Sequence, residues 1–448
     1  MAINHWSKMP LKSLCSRIGD GLHGTPSYDD KSEYYFINGN NLKNGKIEIT
    51  PNTNRVAESD FNEGFIELND NTLLLSINGT LGSLAFYGGQ KIMLGKSAAY
   101  LNFKTDINKF FYYYFQLKDV QLYFYNVATG STIKNLSLKA IQNFEVPVPE
   151  KTEWKAIASV LSALDSKIEL NNRINAELEA MAKTLYDYWF VQFDFPYSPP
   201  LEGCPQDGVG IGKPYKSSGG KMVYNAALKR EIPEGWEVKA LEELGNFKNG
   251  VNYDPSNPGE IACPIINVRN ISSSSYFLKN EDLDTIYLRE SDVKKYAVHK
   301  ESIIIARSGI PGATRLIADI AENTLYCGFA IHFELNNYEN KIPVFFFLKS
   351  IEQLIQNGSG GTILKNVNQA TLNALKIAIT KDNSIVSKLN NAIQLMFSKI
   401  NLIQKENEQL ASLRDWLLPM LMNGQVRVKD VEEERLNMAA EPIVKYNG

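Results

Sequence analysis

Two short turns in this chain carry the same chemistry. Gly130-Ser131-Thr132-Ile133-Lys134-Asn135-Leu136 and Gly361-Thr362-Ile363-Leu364-Lys365-Asn366-Val367 each set hydroxyls and a lysine after a glycine, ahead of a short helix. Free N–H groups, hydroxyls and an ammonium at a helix entry suit contact with a phosphate. The same residues also suit a plain helix cap, and the sequence leaves both readings open. Two glycine-bearing hairpins correspond in the same way, Ser76-Ile77-Asn78-Gly79-Thr80-Leu81-Gly82 and Ala306-Arg307-Ser308-Gly309-Ile310-Pro311-Gly312. Near the start, His23 lies beside Asp20. A lone histidine in a loop with no nearby nucleophile reads as a contact or capping residue more readily than as half of a catalytic pair. Gly208-Val209-Gly210-Ile211-Gly212-Lys213-Pro214 superficially resembles a phosphate-binding P-loop. It is one residue short, lacks the Ser or Thr, and meets proline where the helix should begin. Ser198-Pro199-Pro200-Leu201 does not match the Asn/Asp-Pro-Pro-aromatic motif of amino-methyltransferases. With no glycine-rich cofactor loop after a strand, no metal-ligand cluster and no nuclease carboxylate set, chemistry is expected to come from partners.

The elements that must position these turns occur twice. A shift of 231 carries Gly130 onto Gly361, and a shift of 232 carries Ile157, Leu161, Leu164 and Ile168 onto Leu389, Ile393, Met396 and Ile400. A repeat of this length exceeds a solenoid unit of roughly 20 to 50 residues, so it is a duplicated module of one mixed domain and one long helix. Stretches such as Thr72–Ile77 and Ser83–Tyr87 read as strands, and the aromatic-rich stretch from Lys109 to Tyr125 as a helix. The boundaries expected are a first mixed domain at 1–150, a long helix at 151–194, an irregular linker at 195–230, a second mixed domain at 231–380, a second long helix at 381–424 and a charged tail at 425–448. In both helices apolar residues step by three and four, including Leu178, Met181 and Leu185 in one and Leu410, Leu413, Leu417 and Met420 in the other. That spacing predicts a coiled-coil seam. Asn175 and Asn407 interrupt the two seams at matched places and are expected to fix register by mutual hydrogen bonding. The expected fold class is therefore α+β, with two globular mixed domains separated by two long helices paired as an antiparallel coiled coil and related by an internal pseudo-two-fold repeat. Some 40 residues of helix would span roughly 60 Å, enough for a spacer between the two heads.

Composition bounds the rest. The 448 residues are 44% hydrophobic and 22% charged, with a net charge of −3, an ordinary globular balance long enough for several cores. No apolar run reaches the ~18 residues of a membrane span, no secretory signal opens the chain, and the four cysteines form no C-x-x-C pair. A reduced cytoplasmic protein without disulfides, bound metal or membrane partner is expected. Lys and Arg are nearly matched by Asp and Glu, so any basic face is local.

The layout of domain, long helix, linker, domain and long helix resembles the specificity subunit of type I restriction-modification systems. Gly19-Asp20-Gly21-Leu22-His23-Gly24-Thr25-Pro26, the two Gly-hydroxyl turns, and Leu410-Ala411-Ser412-Leu413-Arg414-Asp415-Trp416-Leu417-Leu418-Pro419 with Gly424 carry the likeness, which extends over nearly the whole chain. The resemblance implies a DNA-binding, non-catalytic protein whose two target-recognition domains each read half of a bipartite double-stranded DNA target. It implies partners as well: two methyltransferase subunits using S-adenosylmethionine, and restriction/translocase subunits using ATP with Mg2+. This chain itself would hold no cofactor. Candidate DNA contacts are then Asp20, His23, Thr25, Asn78, Thr80, Ser131, Thr132 and Lys134 in the first domain. In the second they are Asn249, Tyr253, Arg269, Arg307, Ser308, Thr362 and Lys365. Arg307 stands out because arginine pairs bidentately with guanine. The second domain opens with Gly245–Tyr253 and lacks the Asp-Gly-x-His wording of the first, so the two are expected to read different bases. The alternatives are a recognition subunit of a related non-type-I methyltransferase system, or a two-headed scaffold that binds protein instead of DNA.

Overall fold

The computed structural model describes residues 6–131, 133–197, 212–254, 256, 258–278, 283–300, 302–356 and 367–428. Thr132, Thr362, Lys365, Ser198–Leu201 and Gly208–Ile211 lie outside those residues. Two compact units form, one of residues 1–170 with 407–448 and one of residues 171–406. Among the described residues no helix is long and apolar enough to cross a membrane.

In the first unit β1 (Cys15–Asp20), β2 (Thr72–Ser76), β3 (Leu84–Phe86) and β4 (Ala98–Phe103) form an antiparallel sheet in the order β1-β4-β2-β3. Alternate residues of β2 serve opposite faces, as a pleated strand requires. Leu73 and Leu75 join a core containing Phe110 and Phe111, while Leu74 joins a second core with Ile37 and Tyr100. A smaller sheet has Tyr34–Ile37 at its centre, antiparallel to Arg55–Val56 and parallel to Ile92–Leu94. Ser7–Pro10 pairs with Glu145–Val148 and ties the start of the domain to the strand that precedes the long helix.

The second unit repeats this topology. β5 (Gly245–Asn249), β6 (Ile303–Ala306), β7 (Thr314–Leu316) and β8 (Ala330–Leu335) take the order β5-β8-β6-β7. Ile261–Ile266 lies between antiparallel Asp284–Leu288 and parallel Leu325–Tyr326, and Trp236–Ala240 pairs with Lys376–Thr380. The helix expected over residues 109–125 is two helices, Asn108–Tyr114 and Lys118–Val127. Leu117 between them is extended, and Gln121 Nε2 donates to the Phe115 carbonyl that the break exposes.

The long helices are α1 (Lys151–Tyr186), continued by a π-helical turn at Asp187–Val191, and α2 (Asn383–Met422). In the first unit Trp154, Ile157 and Leu161 of α1 share a core with Leu418, Leu421 and Met422 of α2. Asp165 accepts hydrogen bonds there from Arg414 (2.8 Å) and from the Tyr113 hydroxyl (2.7 Å). In the second unit Asn171 Nδ2 donates to Glu406 Oε2 at 2.8 Å, and Ala182 and Tyr186 share a core with Leu389 and Ile393. Rising numbers on α1 thus meet falling numbers on α2, the antiparallel pairing expected.

The seam differs from expectation in detail. Met181 is 55% exposed while Ala182 is fully buried, and Leu413 is 43% exposed while Leu418 is buried. Asn171, Leu178, Ala182 and Tyr186 follow the 3.6-residue pitch along one face, and a step through Met181 leaves that face. Phe397 enters the core and meets Phe277 edge-on at 5.0 Å, with Met396 partly buried against the same core. The amide pair expected of Asn175 and Asn407 does not supply a partner for Asn175 Oδ1, which is buried without one. A polar contact of the second unit's helix pair joins Asn171 to Glu406, one turn earlier on α1.

The segment expected to be an irregular linker is structured where it is described. Pro196–Tyr197 pairs with Lys213–Pro214, and Met222–Asn225 forms a hairpin with Arg230–Pro233. Phe193, Phe195 and Tyr215 pack with Trp236, and Phe195 stacks on Tyr215 at 4.8 Å. Asp194, buried, accepts from Ser217 N at 2.7 Å and Ser217 Oγ at 2.6 Å. Aromatic anchors set among Pro, Gly and Ser hold this stretch against the second unit's core.

A buried charge cluster stands behind the second sheet. Glu352 and Arg315 are each 5% exposed. Glu352 accepts from Arg315 Nη1 (3.1 Å), Lys349 Nζ (2.8 Å) and Thr314 N (3.1 Å). Burial pushes the Glu352 carboxyl up, but Lys349 and Arg315 outweigh it and hold the group below the usual range. Nearby, Glu179 of α1 accepts from Tyr276 N and from the Ser275 hydroxyl, fastening the second domain to its stretch of helix.

Candidate nucleic-acid interface

The strand registers bring distant loops to one end of each sheet. In the first unit Asp20 pairs with Ala99 and Ser76 with Ala98, so the loops after β1, after β2 and before β4 emerge together. Backbone hydrogen bonds lock them: Leu22 N to Leu94 O (2.7 Å), Lys96 N to Leu22 O (2.9 Å), Ile77 N to Ser97 O (2.9 Å) and Leu136 N to Ile77 O (2.9 Å). A bridge between Asn78 and Asn135 adds the Gly-hydroxyl turn to the same cluster. Gly21 is required for this closure, since a Cβ there would lie 1.9 Å from Leu94 O.

The second unit repeats every bond. Val251 N donates to Tyr326 O (2.9 Å), Gly328 N to Val251 O (2.8 Å), Arg307 N to Phe329 O (2.8 Å) and Val367 N to Arg307 O (3.0 Å). Gly250 stands where Gly21 does, with a Cβ position 2.2 Å from Cys327 O. The two glycines are legible in the sequence, but the partners they approach are not.

Of the first-unit candidates, Asp20, His23, Asn78, Thr80, Ser131 and Lys134 therefore share one loop cluster, with Thr25 exposed on the chain that leaves it. His23 Nε2 lies 2.8 Å from Asp20 Oδ2, its ring exposed at the rim. Thr80 Oγ1 lies 3.0 Å from Ser76 Oγ and closes its own loop. Lys134 Nζ sits 4.9 Å above the ring of Tyr125, which is 54% exposed. The helix after the turn begins only at Leu138, where Ser137 accepts from Ala140 N. Ser131 and Lys134 thus belong to the preceding loop and are not the helix cap. Asn368 caps the corresponding helix Gln369–Asn373 through Thr371 N at 2.8 Å.

In the second unit Asn249, Arg307 and Ser308 lie in the cluster, and Tyr253, 41% exposed, follows it. Arg307 is exposed, and no side-chain partner meets it among the described residues. Arg269 sits on helix Val268–Ser273, whose first residue touches the Gly309 turn. It is ion-paired to Asp284 at 2.6 Å, and both side chains are exposed. Such an exposed pair contributes little to stability.

Three cluster residues escaped sequence reasoning: Lys96, exposed in the Gly95–Ser97 turn, Tyr125 beneath Lys134, and Phe329. Lys96-Ser97 and Gly328-Phe329 precede the equivalent strands β4 and β8, so alignment of the two copies over these turns would have found them. The thiols of Cys15, Cys263 and Cys327 are buried and unpaired, and burial pushes the Cys15 thiol up to about 12.

The family model for the type I restriction modification DNA specificity domain matches residues 4–180 and again residues 233–411. The chain is 26% identical over 329 residues to the type I restriction enzyme MjaIX specificity subunit of Methanocaldococcus jannaschii, covering 72% of this chain and 70% of that one. It is 24% identical over 344 residues to the HindI specificity subunit of Haemophilus influenzae, covering 66% and 72%. Among solved structures it resembles the type I restriction-modification S subunit from M. genitalium, at a TM-score of 0.52 and 19% identity over 94% of this chain and 97% of that one. That likeness is one of fold.

Proposed function

The chain belongs to the type I restriction modification DNA specificity family, and from that premise we propose how it works. It is the sequence-reading subunit of a type I restriction-modification complex, and each loop cluster reads one half of a bipartite DNA target. The observation that supports this reading most is the duplicated cluster: one backbone frame, formed twice, carrying different side chains. Lys96, Ser131 and Lys134 in the first cluster have the chemistry to hold phosphates, while Asn78, Asn249 and Arg307 have the chemistry to reach base edges.

The reader is non-catalytic and works in the cytoplasm. Two methyltransferase subunits bring S-adenosylmethionine, and restriction/translocase subunits bring ATP and Mg2+. The long helices set the unread spacer and dock the methyltransferase subunits. Leu395 and Leu402, 75% and 61% exposed on α2, are apolar side chains suited to such docking.

Methylome sequencing tests the reading. Replacing residues 1–150 with another family member's first domain should change one half of the methylated motif and leave the other half intact. A change in both halves would refute the two-reader model, and methyl transfer by the purified chain alone would refute the non-catalytic role.

A further inference from the structure

Phe329 is 63% exposed, joins no hydrophobic core and faces no other ring among the described residues. It occupies the turn before β8, directly beside Arg307. Ala306 pairs with Ala330 as the last pair of the β6–β8 ladder, and just beyond it Arg307 N donates to Phe329 O at 2.8 Å. Arg307 lies in a bend and Phe329 in a turn at that end of the sheet, and the bond holds their backbones together there. Arginine and phenylalanine are both exposed in this loop cluster, on adjoining backbone positions.

The first unit shows what the position does without that role. Ser97, its counterpart, turns inward: its hydroxyl donates to Asn38 Oδ1 at 2.9 Å and accepts from Gly39 N at 2.9 Å. In the second unit the preceding residue is Gly328, where a Cβ would lie 1.9 Å from Asn252 Oδ1. The turn is thus drawn close against its neighbour while the ring beyond it faces solvent.

Building on the DNA-reading role proposed above, we propose that Phe329 packs against the C5-methyl group of a thymine adjacent to a guanine held by Arg307. In the major groove guanine offers O6 and N7 to an arginine, and thymine offers a methyl group, the one apolar feature on that edge. Two exposed side chains on residues joined by a backbone hydrogen bond reach neighbouring bases. Phe329 and Arg307 then specify a two-base step of the second half-site.

The test uses the full chain assembled with its methyltransferase subunits, on duplexes carrying the bipartite target found by methylome sequencing. Each thymine of the second half-site is replaced in turn by uracil, which removes only the methyl. One replacement, next to a guanine, should weaken binding by roughly fourfold, as expected for one buried methyl. Phe329→Ala should lose the same factor on the thymine duplex and no longer distinguish uracil. Arg307→Ala should lose discrimination at the neighbouring guanine. A second half-site lacking a guanine–thymine step overturns the proposal, as does wild-type indifference to every uracil. So does an equal loss by Phe329→Ala on both duplexes with rising 2-aminopurine fluorescence, which marks insertion between bases. Failure of the wild-type complex to bind the bipartite duplex at all would instead refute the DNA-reading role itself.

Discussion

Acid should weaken the second unit through His332. This residue lies on β8 and is 4% exposed, with Nε2 buried and unpartnered. Burial, reinforced by His299 and Lys248 and opposed by Glu334, lowers its pKa from 6.5 to about 4. Between those values the unfolded chain binds a proton that the folded chain refuses, so stability rises with pH across the window. The contribution is complete above pH 6.5 and is lost as pH falls toward 4. Linkage over that shift amounts to about 2.5 kcal/mol between pH 7.5 and pH 4.5. Glu334 is held below the usual carboxylate range by Lys248 and other acidic groups respond to pH as well, so the wild type must be compared with His332→Leu, which removes the imidazole and supplies an apolar side chain. Urea titrations read by pulsed hydrogen exchange at Ala330–Leu335 report this unit within the intact chain. The stability difference between variant and wild type should shift by about 2.5 kcal/mol in the variant's favour from pH 7.5 to 4.5, or roughly 1 M in urea midpoint. Parallel curves for the two proteins would refute a neutral buried imidazole.

Glu352→Gln leaves Arg315 and Lys349 buried without their anion and should cost about 3–5 kcal/mol; replacing all three by methionine should recover most of it, and a melt unchanged by Glu352→Gln would count against the cluster. Lys134→Ala should weaken binding of every DNA sequence alike and reduce the slope of log affinity against log salt by about 1. A change confined to one sequence would instead mark Lys134 as a base reader. Inserting four residues at Asn171-Asn172 adds about 6 Å and roughly 40° to α1 and should alter the spacer of the methylated motif or abolish methylation. An active insertion mutant with an unchanged spacer would show that the helix does not set that distance.

Much of the architecture was legible because it is written twice. Shifts of 229 to 232, bracketing the one that superposes Ile157 on Leu389, relate two sheets of identical strand order, and a buried strand such as Thr72–Ser76 announces itself by its central leucines. What stayed hidden depends on long-range geometry. Heptad spacing allows either Met181 or its neighbour to face inward; only packing shows that Ala182 is the buried one. The stretch after α1 reads as loop from its Pro, Gly and Ser, yet Phe193, Phe195 and Tyr215 anchor it. In the interface, Gly21 and Gly250 were visible as residues but not as close approaches, and Lys96 and Phe329 entered through strand registers that no local pattern encodes.

The manner in which the loops are joined explains how two copies of one frame can differ in what they present. The four bonds that assemble each cluster run from backbone N–H to backbone carbonyl, so side-chain identity at those positions does not enter them. Ile77 becomes Arg307, Ser97 becomes Phe329, Lys96 becomes Gly328 and His23 becomes Asn252, while the bonds keep lengths between 2.7 and 3.0 Å. The constraint on side chains falls on Ile77, buried in the first unit's core, on Gly21 and Gly250, where a Cβ would strike the facing carbonyl, and on the apolar residues that alternate between the two cores of each sheet. A substitution at an exposed loop position such as Arg307 or Phe329 costs the fold little, because it removes neither a buried contact nor a hydrogen bond of the frame. Its effect falls on whatever meets the cluster. Specificity can therefore change in one unit at a time, while a change at Gly21 or Gly250 should open the frame and disable the reader it closes.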